Sequence, residues 1–310
     1  MAFTFPAPAR TGIRFDKYSR LIALAALLFA FVITFFGLQT TAHDIIQRAS
    51  ATADAQVKVS ILAFESSIEN EVQALRDLAG SSNLAEEKLE RFHAEITAFG
   101  KKHRRQVVLF DLARNEQVLN SAQKFGAPLG AGLKFPHDFK DKTFGRVFVS
   151  NLTHAPLILK HIVVIAIPVK VKEKPYFLGV AIDPGELLRT LQDAQIDAET
   201  VSSIVDRNGV ILARTQEHNK FIGRKAPRNV TSRAADQGNY RGVSLDGNAV
   251  IVSYAKSQVT GWGVVSVKKY EDAFIRNIAL ASVSALAAFV FVLVLIVATK
   301  ASRRRASPLI

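Results

Sequence analysis

The chain of 310 residues has seven histidines, the residue type best suited to metal binding and acid–base chemistry near neutral pH. No two of them have the spacing of a helical zinc site. His154 and His161 could meet in space, but two solvated or partly buried histidines explain them more simply. The sequence contains no cysteine and no Gly-x-Ser-x-Gly segment. We therefore expect no enzymatic activity, no metal site and no cofactor.

A site for a small ligand is predicted within residues 105–183. An irregular segment, Gly126–His154, carries or adjoins five phenylalanines that can wall a pocket or, alternatively, fill a core. Binding pockets commonly combine such apolar walls with a few polar groups. The predicted contacts are Arg146, His161, Asp183, Phe135 and Phe148. Because an arginine can hold a carboxylate through two parallel hydrogen bonds, we expect a small carboxylate ligand.

Two similar stretches predict the framework that positions these residues. In Ile204–Arg214, two short apolar runs flank an Asn-Gly pair, which accepts the positive φ angles of a tight hairpin turn. Val107–Leu119 likewise has an apolar run, an aspartate, a polar turn and a second apolar run. Asp111 and Asp206 are expected to hydrogen-bond the backbone of their turns.

Each hairpin is followed by a second pair of predicted strands. The pairs are Ile162–Val171 with Tyr176–Ile182, and Ala249–Ala255 with Gly261–Val267. This parallel predicts one α/β unit used twice. The connection within the second unit, residues 228–242, is mostly polar, so we expect little apolar material to line a cavity there.

The residues before the first unit are predicted to be helical. Neither Gly nor Pro occurs from Leu38 to Ala79, and apolar residues recur every three or four positions. The pattern predicts one continuous helix, whose apolar stripe packs on the protein's own sheets or forms a dimer seam. Asn83 with Glu86 predicts a capping box for a second helix, and Gly100 predicts its end.

Two uncharged apolar runs, Leu21–Ala42 and Asn277–Thr299, are each long enough to cross a bilayer, which takes about 20 residues. The first is longer than the apolar part of a signal peptide, so we favour an anchor over the alternative of a cleaved signal. Basic residues precede the first run and follow the second. This places both termini in the cytoplasm and residues 43–276 outside.

The net charge of +13 raises the question of nucleic-acid binding. The two basic flanks of the apolar runs account for +7 of it, and their charge is explained by membrane topology. No basic tract is interleaved with aromatic residues elsewhere. We therefore expect no nucleic-acid partner.

The order of these features resembles the double Cache sensor domains of bacterial receptors. The resemblance rests on Ser203–Arg214, Lys220–Pro227 and Gly261–Val267, between two apolar runs. It implies an α+β fold of two PAS-like (Cache) lobes, each an antiparallel sheet with flanking helices, on a long N-terminal helix between two transmembrane helices. It also implies a location in the bacterial inner membrane.

The implied segments follow this order along the chain. They are a cytoplasmic tail (1–20), a transmembrane helix (21–42), a stalk helix with a second helix (43–104), a membrane-distal lobe (105–183), a linker helix (184–200), a membrane-proximal lobe (201–269), a second transmembrane helix (277–299) and a basic cytoplasmic tail (300–310).

Amino-acid-binding members of this family carry a Tyr, Arg and Trp-Tyr signature in the first lobe and an Asp near its last strand. Asp183 matches that Asp, although it could instead cap the linker helix. Thr143–Ser150 has one Arg and neither Trp nor Tyr, so amino-acid recognition is not implied.

The resemblance implies an extracytoplasmic ligand sensor for signal transduction, the sensory part of a histidine kinase or cyclase type receptor. Residues 302–309 resemble the opening of a HAMP-type linker, and we find no kinase motif, so we expect the catalytic output elsewhere. A homodimer or a cytoplasmic or membrane signalling partner is expected. The alternative is a structural or interaction protein whose lobes bind a partner protein.

Overall fold

The structure is a computed structural model that describes residues 17–129, 146–155, 160–227, 236–244, 247–270 and 272–305. The chain divides into two compact units. One is Arg48–Tyr270, and the other combines Met1–Gln47 with Glu271–Ile310.

The helices largely follow the sequence pattern. They are α1 (Lys17–Ala79), α2 (Ser82–Ala85), α3 (Leu89–His103), α4 (Pro184–Asp193), α5 (His218–Phe221) and α6 (Asp272–Arg305). The predicted continuous helix is confirmed, since α1 runs unbroken to Ala79. The linker helix predicted over 184–200 is shorter, because α4 ends at Asp193 and turns follow it.

Two predicted helix boundaries are wrong. Ser81 caps α2 in place of the Asn83 and Glu86 capping box, because its Oγ accepts the backbone N–H of Asn83 at 3.1 Å. Gly100 lies inside α3 and does not end it. A Cβ at Gly100 would come within 2.6 Å of the carbonyl oxygen of Arg105, so glycine permits this close approach.

Within the described residues, eleven strands form two antiparallel sheets. They are β1 (Gln106–Asp111), β2 (Glu116–Asn120), β3 (Phe148–Val149), β4 (Thr153–Ala155), β5 (Lys160–Val171), β6 (Lys174–Ile182), β7 (Val201–Val205), β8 (Ile211–Arg214), β9 (Gln237–Val243), β10 (Ala249–Lys256) and β11 (Gly263–Lys269). The orders are β2-β1-β6-β5-β3, with β4 also on β5, and β8-β7-β11-β10-β9. The shared order confirms the α+β fold of two PAS-like lobes, here called the first lobe (105–183) and the second lobe (201–269).

The two edge hairpins turn in the same way. In each, Oδ1 of the aspartate, Asp111 or Asp206, accepts the backbone N–H two residues on, at 2.8 Å, as predicted. A left-handed residue follows each turn: Asn115 has φ 57° and Gly209 has φ 74°. Among the described residues of the second turn only Gly209 has a positive φ. The hairpin loop is therefore longer than the two-residue turn that the Asn-Gly pair suggested, and Gly209 forms a bulge at its end.

Each sheet buries one face in a core that runs along α1. Residues of α1 such as Phe64 and Leu75 are fully buried in this core with Leu109 of the first sheet and Val264 of the second. The apolar stripe of α1 therefore packs on the chain's own lobes. The opposite face of each sheet, here called the free face only because it points away from α1, carries a separate apolar cluster.

The other unit contains the N-terminal part of α1 and all of α6. Within the described residues, the stretch of α1 from Leu28 is long and apolar enough to cross a membrane, and the apolar stretch of α6, Asn277–Val292, is shorter. The rings of Phe31 and Phe289 stack with their centroids 5.3 Å apart.

Candidate functional site

The free face of the first lobe is apolar and aromatic. Phe110 and Phe177 are buried there with alternate residues of β5, Ile162 and Val164. Phe148 packs against them, and its ring centroid lies 6.4 Å from that of Phe177. The described part of this face thus offers an apolar wall.

Two of the predicted contacts lie on or next to this face. Phe148 belongs to it. Arg146 is exposed and precedes Phe148 by two residues, so its guanidinium can reach the rim of the wall. Phe135 lies outside the described residues.

The structure separates His161 from Arg146. In the pairing of β3 with β5, Phe148 lies opposite Ala166. Arg146 and His161 therefore lie near opposite ends of β5, roughly 20 Å apart at about 3.3 Å per residue. The Nε2 atom of His161 lies 3.8 Å from where a Cβ on Gly223 would be, so this histidine faces the second lobe.

Asp183 also lies at the contact between the lobes. Its Oδ1 accepts the backbone N–H of Gly185 at 2.8 Å, so it caps α4. Burial lowers the pKa of His218, and the negative charge of Asp183 opposes part of that effect. Asp183 thus combines a capping role with an electrostatic contact to α5 of the second lobe.

The lobes are joined by the turn that follows β7. Oδ2 of Asp206 accepts the backbone N–H of Leu152 at 3.2 Å. The guanidinium of Arg207 donates to the carbonyl oxygens of Val149 in the first lobe and Thr260 in the second. Although Arg207 is exposed as a whole, the burial of its guanidinium lowers the pKa of the group. Sequence reasoning missed this contact, because an arginine in a polar turn has the pattern of a solvated residue.

The second lobe is tied to α1 through polar and aromatic contacts. Asp54 of α1 accepts hydrogen bonds from Ser253 at 2.5 Å and from Asn239 at 2.9 Å, both in the second lobe. The ring of Phe64 stacks on that of Trp262 with centroids 5.6 Å apart. A movement of the second sheet would therefore act directly on α1.

At the start of the first lobe, Arg105 joins two helices. It donates to Glu71 of α1 at 2.5 Å and to Glu186 of α4. Burial alone would lower the pKa of Arg105, but these two carboxylates outweigh it and raise the pKa. The first lobe is thus linked by charge to both helices that flank it.

The free face of the second lobe contains a cavity, which the sequence did not lead us to expect. The expectation rested on the polar connection at 228–242, whereas alternate valines of the strands themselves supply the wall. These include Val205, Val252 and Val265. The signal was present in the strand alternation.

Comparisons with known proteins agree with this architecture. The Cache domain family matches residues 39–276. The sensory domain of the Campylobacter jejuni chemoreceptor Tlp3 superposes with a TM-score of 0.55 at 14% identity, covering 77% of this chain and 99% of that one. The ligand-binding domain of the Pseudomonas fluorescens chemoreceptor CtaA, in complex with L-serine, gives 0.51 at 14% identity, covering 68% and 93%.

A further Tlp3 structure, the ligand-binding domain in complex with L-valine, gives a TM-score of 0.51 at 14% identity, covering 76% of this chain and 98% of that one. No curated protein sequence is significantly similar to this chain. With more than half of its residues matched and both sheets in the same strand order, the chain belongs to the Cache domain family.

Proposed function

We propose that this protein is a membrane-anchored extracytoplasmic ligand sensor for signal transduction in the bacterial inner membrane. The observation that carries the proposal is the match to the Cache domain family over both lobes. The similar structures come from chemoreceptors, and two of them hold an amino acid. The chain acts as a sensor and not as an enzyme.

The ligand binds in the first lobe, on the free face beside Phe148 and Phe177. Arg146 at the rim holds a carboxylate through two parallel hydrogen bonds. His161 and Asp183 lie at the contact with the second lobe, so they respond to the ligand through the lobe boundary.

Binding is transmitted through the turn that follows β7. The segment with Phe148 also carries Val149, whose carbonyl accepts from Arg207. A shift of this segment therefore moves the second lobe, which holds α1 through Asp54 and Trp262. Small displacements of packed helices are a common switching device.

The membrane arrangement follows from the apolar part of α1 and the basic flanks of both apolar runs. Both termini lie in the cytoplasm, and α6 forms the second membrane helix. Alkaline phosphatase fused after Lys300 should be inactive, whereas a fusion near Gly238 should be active. The reverse pattern of alkaline phosphatase activity would contradict the proposed sensor function.

Binding is tested by thermal-shift screening of the full-length protein in detergent against small carboxylates, amino acids and amines. A hit should be lost in Arg146→Ala and retained in Arg114→Ala, a matched exposed arginine on the first hairpin. A hit that survives Arg146→Ala would contradict the proposed contact.

The signalling form is a homodimer, and α1 supplies its seam. Leu62 and Val59 of α1 are 67% and 39% exposed, on the side of the helix away from the core. The substitution Leu62→Glu should shift the molar mass of the detergent-solubilised protein from dimer to monomer in multi-angle light scattering. An unchanged mass would exclude this seam.

A further inference from the structure

The cavity of the second lobe combines an apolar wall with four polar side chains. The wall is formed by valines of β7, β10 and β11. The polar residues of the lining are Ser203 on β7, Arg214 at the end of β8, Tyr240 on β9 and Ser244, which follows β9. An apolar pocket with a few convergent polar groups is the usual form of a small-molecule site.

Arg214 gives the cavity its charge. The residue is only 6% exposed. Its guanidinium carbon lies 4.7 Å from the centroid of the Phe221 ring, and this packing orients the planar group. A guanidinium has five N–H donors, so it can hold a carboxylate through two of them while it makes other contacts.

The size of the cavity limits the ligand. Its volume is about 50 Å³. One water needs about 10–15 Å³ on the same scale, so the cavity accepts a molecule of about three to five non-hydrogen atoms. An unbranched two- or three-carbon carboxylate fits this limit.

We propose that the second lobe has its own binding site, in which Arg214 holds a short aliphatic carboxylate with its carbon chain against the valine wall. The site is separate from the one proposed on the first lobe. The two lie on different sheets, and neither uses a residue of the other. Ser203 and Tyr240 supply hydroxyl groups beside the carboxylate.

The test uses sodium propionate with the full-length protein in detergent, and propionamide as the uncharged control of equal size. Propionate should slow hydrogen exchange in β7, β8 and β10, and propionamide should not. Arg214→Gln should raise the Kd for propionate at least tenfold. Arg224→Gln is the matched control: its guanidinium carbon lies 5.9 Å from the same ring, it is exposed and it does not line the cavity. This variant should keep the Kd within twofold.

Equal protection by propionamide would overturn the proposal, as would an unchanged Kd in Arg214→Gln. No protection by propionate, or protection confined to the first lobe, would overturn it too. If Arg214→Gln fails to fold, the comparison of propionate with propionamide on the wild-type protein still decides. Arg146→Ala should leave propionate binding in the second lobe unchanged, so the two sites can fail independently.

Discussion

The two lobes have the same strand order but differ in what their free faces offer. In both, the first strand of the edge hairpin pairs with the last strand of the sheet, and one sheet face is buried along α1. The free face of the first lobe is lined by Phe110, Phe148 and Phe177. That of the second lobe has small valines, which leave a cavity beside Arg214.

The difference indicates which face of the repeated unit can vary between the two lobes. The face on α1 belongs to one continuous core, so a substitution there disturbs both lobes and the helix together. The free faces belong to separate clusters and can diverge without that penalty. Stability should therefore depend most on the shared core, and specificity on the free faces.

The largest expected effect is on the shared core. Trp262 is fully buried and stacks on Phe64 of α1. The substitution Trp262→Ala should lower the free energy of unfolding by about 3–5 kcal/mol, because it removes a large side chain and leaves a cavity. Val243→Ala on the free face is the control, since Val243 is 62% exposed. Equal losses in the free energy of unfolding, measured by denaturant titration, would show that the two faces do not differ in their contribution to stability.

The second effect concerns the contact between the lobes. Arg207→Met removes the side chain that donates hydrogen bonds to two carbonyl oxygens, and the free energy of unfolding should therefore fall by about 1–2 kcal/mol. Arg114 on the matching hairpin of the first lobe is 74% exposed, so Arg114→Met should change the free energy of unfolding by less than about 0.5 kcal/mol. Urea titrations of the two variants give the comparison. If both behave alike, Arg207 does not join the lobes.

The third effect distinguishes the two turns. Gly209 has φ 74° and the matching residue Asn115 has φ 57°. Gly209→Val should cost about 1–2 kcal/mol, since β-branched residues strongly disfavour positive φ. Asn115→Gly should change stability by only a few tenths of a kcal/mol, because both residue types tolerate this conformation. A Gly209→Val protein that melts at the wild-type temperature would refute the turn assignment.

The smallest effect is a pH dependence at α5. Burial lowers the pKa of His218 below its ordinary 6.5. At a pH between the lowered pKa of the folded state and 6.5, His218 binds a proton in the unfolded chain but not in the folded chain, so acid favours unfolding. The free energy of unfolding should therefore fall more between pH 7.5 and 5.5 in the wild type than in His218→Gln. Identical losses in denaturant titrations at the two pH values would show that His218 is not the titrating group.

The sequence predicted the features that depend on local patterns. The spacing of apolar residues predicted α1, and the two aspartate turns predicted both hairpins. The contacts that join the lobes were not predictable, because Val149 and Arg207 are 58 residues apart and only the fold brings them together. Gly100 shows a related limit: it was read as a helix end, but the close approach of the Arg105 carbonyl oxygen explains the glycine better, and no sequence pattern signals that approach.

The candidate site was predicted less well than the fold. Arg146 and Phe148 lie close together because they are near neighbours in sequence. His161 and Asp183 were grouped with them because His161 was expected on a nearby strand and Asp183 at the end of the lobe, but the pairing of β3 with β5 places His161 far from Arg146. The cavity of the second lobe was missed because the alternation along each strand predicts which residues share a sheet face, but not that the side chains of several strands leave a space between them.

In the proposed mechanism, a ligand on the first lobe acts on the second lobe through Arg207. Hydrogen exchange of the full-length protein, with and without the compound that gives the largest thermal shift, tests it most directly. Slower exchange is expected in β3 and β5, together with a change at the Asp206–Gly209 turn. In Arg207→Met the first effect should remain and the second should disappear. A change at the turn that persists in Arg207→Met, or protection that omits the first lobe, would show that the signal does not pass from the first lobe through Arg207.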